Sequence, residues 1–258
     1  MHRPRILTAA LATAIASFCL AAPAGAAAPT VVTLQFDDGV ADQYGALGPL
    51  NGHRMHATFY VNSGVIDDGA HMTWSQLGDL YAAGNEIAGH TVTHANVKKL
   101  KTGPARQEIC GDRVALFEHG FQPVSFAYPF GAIDAGTEAI VAACGYNSGR
   151  GVSGVNDRRV FAETIPPLDA FATRTPPNPK QNTTLVTIKG YVTAAEDNGG
   201  GWVQLVFHHL CDQCDAYSIT PANFTALLDW LAPRAGSGTV VRTTAEVIGG
   251  PVQPAVQP

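Results

Sequence analysis

The sequence has few charged residues, and basic ones are the scarcer kind. Of its 258 residues only 14% are charged, and 16 Lys and Arg against 21 Asp and Glu give a formal net charge of −5 at pH 7. Nucleic acids and anionic membranes are bound by clusters of Lys and Arg, so this balance argues against both kinds of partner. With 46% hydrophobic residues the chain is also too apolar for disorder. At roughly 150 residues per domain, the composition indicates a globular protein of one large domain or two small ones.

Beyond the N-terminus, the sequence lacks an uninterrupted apolar run of the roughly 18 residues that a membrane span needs. The one long run, residues 6–22, follows Arg3 and Arg5 and precedes the small residues Ala24-Gly25-Ala26. This order of charge, apolar stretch and small residues is typical of a secretory signal. We therefore predict a signal peptide over residues 1–26 and a secreted protein that has no membrane contact after cleavage.

Cysteine is scarce, and only four cysteines remain once Cys19 has left with the signal peptide. An even number in an oxidising compartment indicates two disulfides. Of the three connectivities, we predict the one that pairs Cys211 with Cys214 in a turn and Cys110 with Cys144. The segment from Cys211 to Cys214 also has the spacing of half a zinc ribbon, but a ribbon needs a second such pair, which the sequence lacks. A redox-active Cys211–Cys214 pair stays open, although no thioredoxin-like context supports it.

Segments with the composition of strands alternate with segments of helical periodicity. The predicted strands are residues 31–36, 57–61, 86–89, 124–127, 203–207 and 239–242, and the predicted helices are 73–83, 103–119, 135–143, a helix from 220 onward, and 244–248. Such alternation calls for a parallel sheet in an α/β fold, and roughly 250 residues is the size of a single βα barrel. Residues 156–181 are rich in Pro and polar side chains, so we expect a long surface excursion there.

Unusual polar residues follow four of the predicted strands where they end: Asp37-Asp38-Gly39, Gly89-His90, Tyr128-Pro129-Phe130-Gly131 and His208-His209. In parallel βα architectures the active site lies at that edge of the sheet. Two adjacent carboxylates in one pocket repel each other, and a bound cation relieves the repulsion.

The segment from His90 to His94 supplies two further candidate ligands for such a cation. On one helical turn their i, i+4 spacing puts both imidazoles on one face, and imidazole with carboxylate suits zinc and other divalent metals. With Asp38 as the third ligand, open positions remain for water and substrate, which is typical of a catalytic site. The alternative is that both histidines are merely polar residues on a helix.

Three motifs resemble those of the polysaccharide deacetylases, carbohydrate esterase family four. Phe36-Asp37-Asp38-Gly39 resembles the family's T-F-D-D-G motif with Gln35 in place of Thr, residues 90–94 match H-S/T-x-x-H, and Leu205-Val206-Phe207-His208 resembles L-x-x-H. The three motifs are in the family's order and span most of the predicted mature chain. The resemblance implies a distorted βα barrel of about seven parallel strands, with one catalytic domain over residues 27–250 and a flexible tail over 251–258.

The resemblance also implies a role for each matching residue. Asp38, His90 and His94 would hold one divalent ion, with zinc expected first and cobalt, nickel or manganese as alternatives. Asp37 would be the general base, and His208 would protonate the leaving group.

The resemblance assigns the substrate-facing groups as well. The backbone N–H of Phe130, in the segment Tyr128-Pro129-Phe130, would stabilise the oxyanion, and Leu205 would line the acetyl pocket.

The sequence departs from the family pattern at two places. The family's third motif opens with an Arg that pairs with the catalytic Asp, but here Ala127 stands there, as in a subgroup with an F-A-Y-P-F/Y-G version. Arg150 and Arg174 are the candidates to supply that charge. The family's Asp-x-x-Asp-Trp motif, which orients the catalytic His, is absent, and Asp169 and Asp212 are the candidates to replace it.

The predicted function is that of a secreted, metal-dependent hydrolase that removes acetyl groups from a polysaccharide. Polymers of N-acetylglucosamine (chitin, peptidoglycan or an exopolysaccharide) are the first expectation for the substrate, and acetylated xylan is the second. A catalytically silent carbohydrate-binding protein on the same barrel is the alternative, disfavoured because binding alone needs no base, ligands and acid together. The absence of a G-x-S-x-G elbow excludes the usual serine esterase. The segment Gly149–Gly154 fits the dinucleotide pattern G-x-G-x-x-G, but it follows no clear strand. A monomer is expected.

Overall fold

The computed structural model describes residues 29–155 and 159–258, so the predicted signal peptide lies outside the described residues. The strands are β1 (Thr30–Phe36), β2 (Thr58–Val61), β3 (Glu86–Gly89), β4 (Ser125–Ala127), β5 (Ser148–Gly154), β6 (Thr173–Thr175), β7 (Gly201–Phe207), β8 (His209–Leu210), β9 (Ser218–Ile219) and β10 (Thr239–Val241). The helices are α1 (Leu47–His53), α2 (Trp74–Ala82), α3 (Thr102–Glu118), α4 (Ala135–Ala143), α5 (Leu185–Asp197), α6 (Pro221–Leu231) and α7 (Thr244–Ile248).

The strands pair in parallel and curl into a half-barrel. Strands β1 to β6 lie side by side in chain order, β7 runs along the other edge of β1 for its full length, and β10 pairs with the first residues of β1. Side chains close part of the gap between β6 and β7, where Nε2 of Gln204 donates to the carbonyl oxygen of Arg174 at 2.8 Å. The prediction of a distorted α/β barrel with about seven parallel strands is confirmed.

The two faces of the sheet have opposite character. Successive strand residues point to opposite sides, and the outer face of β1 carries Leu34 and Phe36, which pack in the core beneath the helices. The ring of Phe36 stacks on that of Phe59 in β2, with centroids 4.9 Å apart. The inner face is polar: Nε2 of Gln35 donates to Oε1 of Gln204 at 2.9 Å. The barrel interior is therefore a hydrogen-bonded network that leads toward the carboxyl ends of the strands.

Strands β5 and β6 were not predicted. The G-x-G-x-x-G segment forms β5 itself, and its glycines serve packing, since a Cβ on Gly149 would lie 2.6 Å from Cε2 of Tyr128. Part of the expected surface excursion instead forms β6, where Thr173 and Thr175 are buried. The neighbouring strands, rather than the composition of these segments, hold them in the sheet.

The structure contains both predicted disulfides. Cys110–Cys144 joins α3 to the end of α4, and Cys211–Cys214 closes the loop that follows β8.

The expected flexible tail is held against the barrel by hydrogen bonds. The Arg113 guanidinium in α3 donates to the carbonyl oxygens of Gln253 at 2.7 Å and Pro254 at 2.9 Å. Within residues 29–155 and 159–258, no helix combines the length and apolar character needed to cross a bilayer.

Candidate active site

Asp37 lies at the carboxyl end of β1 and pairs with an arginine from β5. Asp37 and Arg150 are both buried, and Nη2 of Arg150 donates to Oδ1 of Asp37. The guanidinium also lies over the ring of Tyr60, 5.0 Å from its centroid. Ala127 and Arg150 are register partners on β4 and β5, so the cation comes from the strand beside the one that carries Ala127. Of the two candidate arginines, the structure brings Arg150 to Asp37.

Charge around Asp37 decides its protonation. Burial raises the pKa of Asp37, but the positive charge of Arg150, with smaller electrostatic contributions from His90 and His208, holds the pKa below 3.8. The carboxylate is therefore ionised at neutral pH and can accept a proton.

Arg174 and Asp169 have local roles instead. Nε and Nη2 of Arg174 donate to the two carboxylate oxygens of Glu163 at 2.9 and 2.8 Å. Oδ1 of Asp169 accepts from the backbone N–H of Phe171 at 2.8 Å. Nδ1 of His208 is buried and bonds to no group in the described part of the chain, so neither Asp169 nor Asp212 orients it here.

Asp38, His90 and His94 converge on one point. Oδ1 of Asp38 lies 3.4 Å from Nε2 of His90 and 3.2 Å from Nε2 of His94, and the three candidate ligand atoms are within 4.8 Å of one another. Nδ1 of His90 lies 2.8 Å from the carbonyl oxygen of Ala127, which fixes the proton on Nδ1 and leaves the Nε2 lone pair toward the cavity. Burial lowers the pKa of His94 below 6.5, which favours the neutral imidazole that a metal needs. One carboxylate oxygen and two imidazole nitrogens fit a divalent ion such as zinc.

The segment that carries both histidines is a loop, so the expected helical turn is wrong. Thr91 and His94 have φ of 70° and 59°, in the left-handed region that ends a helix. Side chains from two other elements hold the loop: Nδ2 of Asn62 donates to the carbonyl oxygens of His90 and Thr91, and Oδ2 of Asp112 accepts from the backbone N–H of His90 at 3.1 Å. Asn62 was missed although it directly follows β2, the same strand-end signal that indicated Asp37 and His90.

Asp37 and the three candidate metal ligands line one open cavity of about 420 Å³. Its lining residues are Asp37, Asp38, His90, His94, Tyr128, Phe130, Val152, Asn178, His208 and Tyr217. His208 directly follows β7, and its ring centroid is 5.2 Å from that of Tyr217. Nδ1 of His209 instead lies 2.7 Å from Oδ2 of Asp42. Gln43, which the sequence did not indicate, donates from Nε2 to the carbonyl oxygens of both Asp37 and His208.

The aromatic segment forms one wall of the cavity. Pro129 is buried, whereas Phe130 has φ of 61° and is 65% exposed, with its ring beside that of His94. The expectation for Leu205 is wrong, because this side chain lies in the core between sheet and helices. Val206, on the same face of β7 as Gln204, points to the barrel interior instead.

Comparisons with known proteins agree with the fold and with the motifs. The family model described as polysaccharide deacetylase matches residues 24–149. An uncharacterized protein of Streptomyces coelicolor is 28% identical over 116 residues, which are 45% of this chain and 45% of that protein, so the match spans less than half of the relative's length.

Three solved structures share the fold. Peptidoglycan deacetylase PdaC from Bacillus subtilis has a TM-score of 0.53 at 16% identity, over 85% of this chain and 90% of that chain. The Xyl-CE4 domain of a multidomain xylanase from the hindgut metagenome of Trinervitermes trinervoides has a TM-score of 0.56 at 17% identity, over 85% and 89%. A family 4 carbohydrate esterase from Streptomyces lividans, in complex with acetate, has a TM-score of 0.53 at 21% identity, over 81% and 90%.

Proposed function

Because residues 24–149 belong to the polysaccharide deacetylase family, we propose that this chain is a metal-dependent hydrolase that removes acetyl groups from a polysaccharide. One observation carries the proposal: the ionised Asp37 and the convergent ligands Asp38, His90 and His94 share one cavity with His208. A base, a three-ligand ion site and an acid at one edge of the barrel are the groups that acyl hydrolysis needs.

The ion site is formed by Asp38, His90 and His94, with zinc as the expected metal. Oδ1 of Asp38 is buried and has no hydrogen bond of normal geometry to any residue in the described part of the chain, so a cation there would satisfy it. A bound divalent ion supplies Lewis acidity, which polarises an acetyl carbonyl and lowers the pKa of water.

The chain's own residues then move the protons. Asp37 accepts a proton from the attacking water, and Arg150 keeps that carboxylate oriented. The backbone N–H of Phe130 donates to the oxyanion that forms on the acetyl carbon. His208, across the same cavity, donates a proton to the departing amine or alcohol.

The substrate that we favour is an N-acetylglucosamine polymer, with acetylated xylan second. Phe130 and Tyr217 lie on the cavity wall as residues that are 65% and 40% exposed, and a pyranose ring can pack against their aromatic side chains. One similar structure is named a peptidoglycan deacetylase and another a domain of a xylanase, which supports both substrate classes. The predicted signal peptide supports a secreted protein. We expect it to be a monomer with one catalytic domain over residues 27–250.

The test is acetate release from chitin oligomers, peptidoglycan and acetyl-xylan, with and without a chelator. Asp37→Asn should keep the metal content of the wild type and lose about 100-fold or more in rate, since a general base contributes that much. His94→Ala should lose the metal itself, measured by elemental analysis. Asp169→Asn, which replaces a carboxylate that does not line the cavity, is the matched control and should retain both. Full activity in Asp37→Asn, or release that resists the chelator, contradicts the proposal, and polymer binding without release indicates the silent binding protein.

A further inference from the structure

A second group of metal-ligating side chains lies beside the cavity. We define it as the cysteine clasp: Asp42, His209, Cys211 and Cys214, whose candidate ligand atoms all lie within 4.8 Å of one another. Nδ1 of His209 is 2.7 Å from Oδ2 of Asp42, and Sγ of Cys214 is 3.9 Å from that same oxygen. None of the four lines the deacetylase cavity.

The clasp supplies what the sequence lacked for a zinc site. A Cys-x-x-Cys segment needs two more ligands for a zinc site. Asp42 and His209 are 167 positions apart in the sequence, and the fold brings both beside this segment. The other oxygen of Asp42 accepts from the backbone N–H of Leu210 at 2.8 Å, which orients the carboxylate as outer hydrogen bonds orient metal ligands. Four protein ligands of these types form a closed structural site, unlike the open set of three in the cavity.

In the oxidised protein Cys211 and Cys214 are bonded to each other, so they cannot bind a metal as thiolates. We propose that reduction of the Cys211–Cys214 bond converts the clasp into a second, structural site for a zinc-class divalent ion. A dithiol reductant supplies two electrons and two protons, the S–S bond becomes two thiols, and the reductant becomes a disulfide. The ion then displaces both thiol protons, and the neutral His209 ring carries its proton on Nε2 while Nδ1 binds. The proposal does not depend on the deacetylase activity.

Exposure makes this disulfide the reducible one. Cys214 is exposed and Cys211 is half-buried, whereas Cys110 and Cys144 are fully buried in the apolar cluster under α3 and α4. Exposed disulfides are more readily reduced than buried structural ones. The loop between β8 and β9 also carries Tyr217, so either the covalent bond or the ion would fix the wall beside His208.

The experiment uses the full chain carrying His94→Ala, which removes the first metal site. The protein is treated with dithiothreitol, mass mapping of alkylated thiols confirms that Cys110–Cys144 is intact, and cobalt is titrated without oxygen. We expect one equivalent of cobalt with thiolate-to-cobalt absorption in the near ultraviolet, displaced by zinc and absent from the oxidised protein.

Ligand variants decide the assignment. Cys214→Ser should remove most of the thiolate absorption, and Asp42→Asn and His209→Ala should each weaken cobalt binding by about tenfold or more. Asp212→Asn, in the same loop but outside the clasp, should bind as the parent does. If Asp42→Asn does not fold, His209→Ala alone carries the test, with circular dichroism as the check on folding. A reduced protein without thiolate absorption, or absorption and affinity that His209→Ala leaves unchanged, would overturn the proposal.

Discussion

Replacing Arg150 by methionine removes the cation beside Asp37 while keeping a side chain of similar length in β5. Arg150 and Asp37 are only 1% and 3% exposed, so the carboxylate left behind would lack both its partner and water. Removing one member of a buried pair typically costs roughly 3–5 kcal/mol, because an unpaired charge stays in a medium of low dielectric. His90 and His208 also favour the ionised Asp37 and remain in place, so we expect a loss of about 3 kcal/mol in the free energy of unfolding at pH 7.

The pH dependence of that loss has a definite sign. In the wild type the pKa of Asp37 is below its ordinary value, so the pair stabilises above the unfolded pKa of about 3.9 and the stabilisation is lost as the pH falls through the folded pKa. Without Arg150, burial is opposed only by the weaker contributions of His90 and His208, so we expect the pKa of Asp37 to rise above its unfolded value. The buried, unpaired carboxylate of Asp37 then destabilises the variant at neutral pH, and protonation of Asp37 removes this destabilisation as the pH falls. The difference in the free energy of unfolding between the wild type and Arg150→Met should therefore be largest near neutral pH and become smaller toward about pH 4.

Urea unfolding at neutral and acidic pH measures this difference. Asp37→Asn combined with Arg150→Met should be less destabilised than the sum of the single variants, because the neutral amide leaves no charge to compensate. Arg150→Lys keeps the charge without the planar guanidinium and is the matched control, expected to lose less stability than Arg150→Met. A variant Arg150→Met as stable as the wild type at pH 7, or a difference that grows on acidification, would refute the reasoning.

Two further predictions concern groups outside this pair. Burial raises the pKa of Glu86 above 4.5; Oε2 accepts two hydrogen bonds, whereas Oε1 accepts none from the residues that the structure describes. Because the pKa of this acid is raised on folding, stability falls as the pH rises from the unfolded to the folded pKa. Glu86→Gln should therefore gain about 1 kcal/mol in the free energy of unfolding at pH 7 and lose this pH dependence. Lower stability of the variant in thermal unfolding would contradict this. Tyr217→Ala should raise KM for a polymer several-fold with a smaller change in kcat. Tyr81→Ala, on α2, is the control and should leave KM unchanged. An unchanged KM in Tyr217→Ala would show that Tyr217 does not contact the substrate.

The strand-end rule accounts for most of the site that the sequence predicts. Asp37, His90 and His208 follow different strands, and the carboxyl ends of parallel strands necessarily meet at one edge. The i, i+4 spacing of His90 and His94 predicted their proximity correctly but assumed a helix. A left-handed turn at Thr91 brings the rings together instead, and hydrogen bonds from residues distant in sequence, including Asn62 and Asp112, hold that turn.

The unpredicted part of the sheet is the part that supplies Arg150. Six of the seven residues of Ser148–Gly154 are polar or glycine and only Val152 is apolar, so the composition of the segment gives no strand signal. The segment is a strand because β4 and β6 pair with its two edges and because glycine admits the ring of Tyr128. A contact between residues 113 positions apart depends on that pairing, which no local pattern encodes.

The register of β4 and β5 explains why an arginine can be absent from the third motif. Asp37 pairs with a cation in the barrel interior, and Arg150 on β5 supplies that cation here. Ala127 and Arg150 are register partners, so their side chains point to the same face of the sheet. The small Ala127 packs with Tyr60 and Ala88, and the guanidinium of Arg150 lies over the same Tyr60 ring. An arginine on β5 and a small residue on β4 therefore form a single packed arrangement around the Tyr60 ring, with the guanidinium beside Asp37.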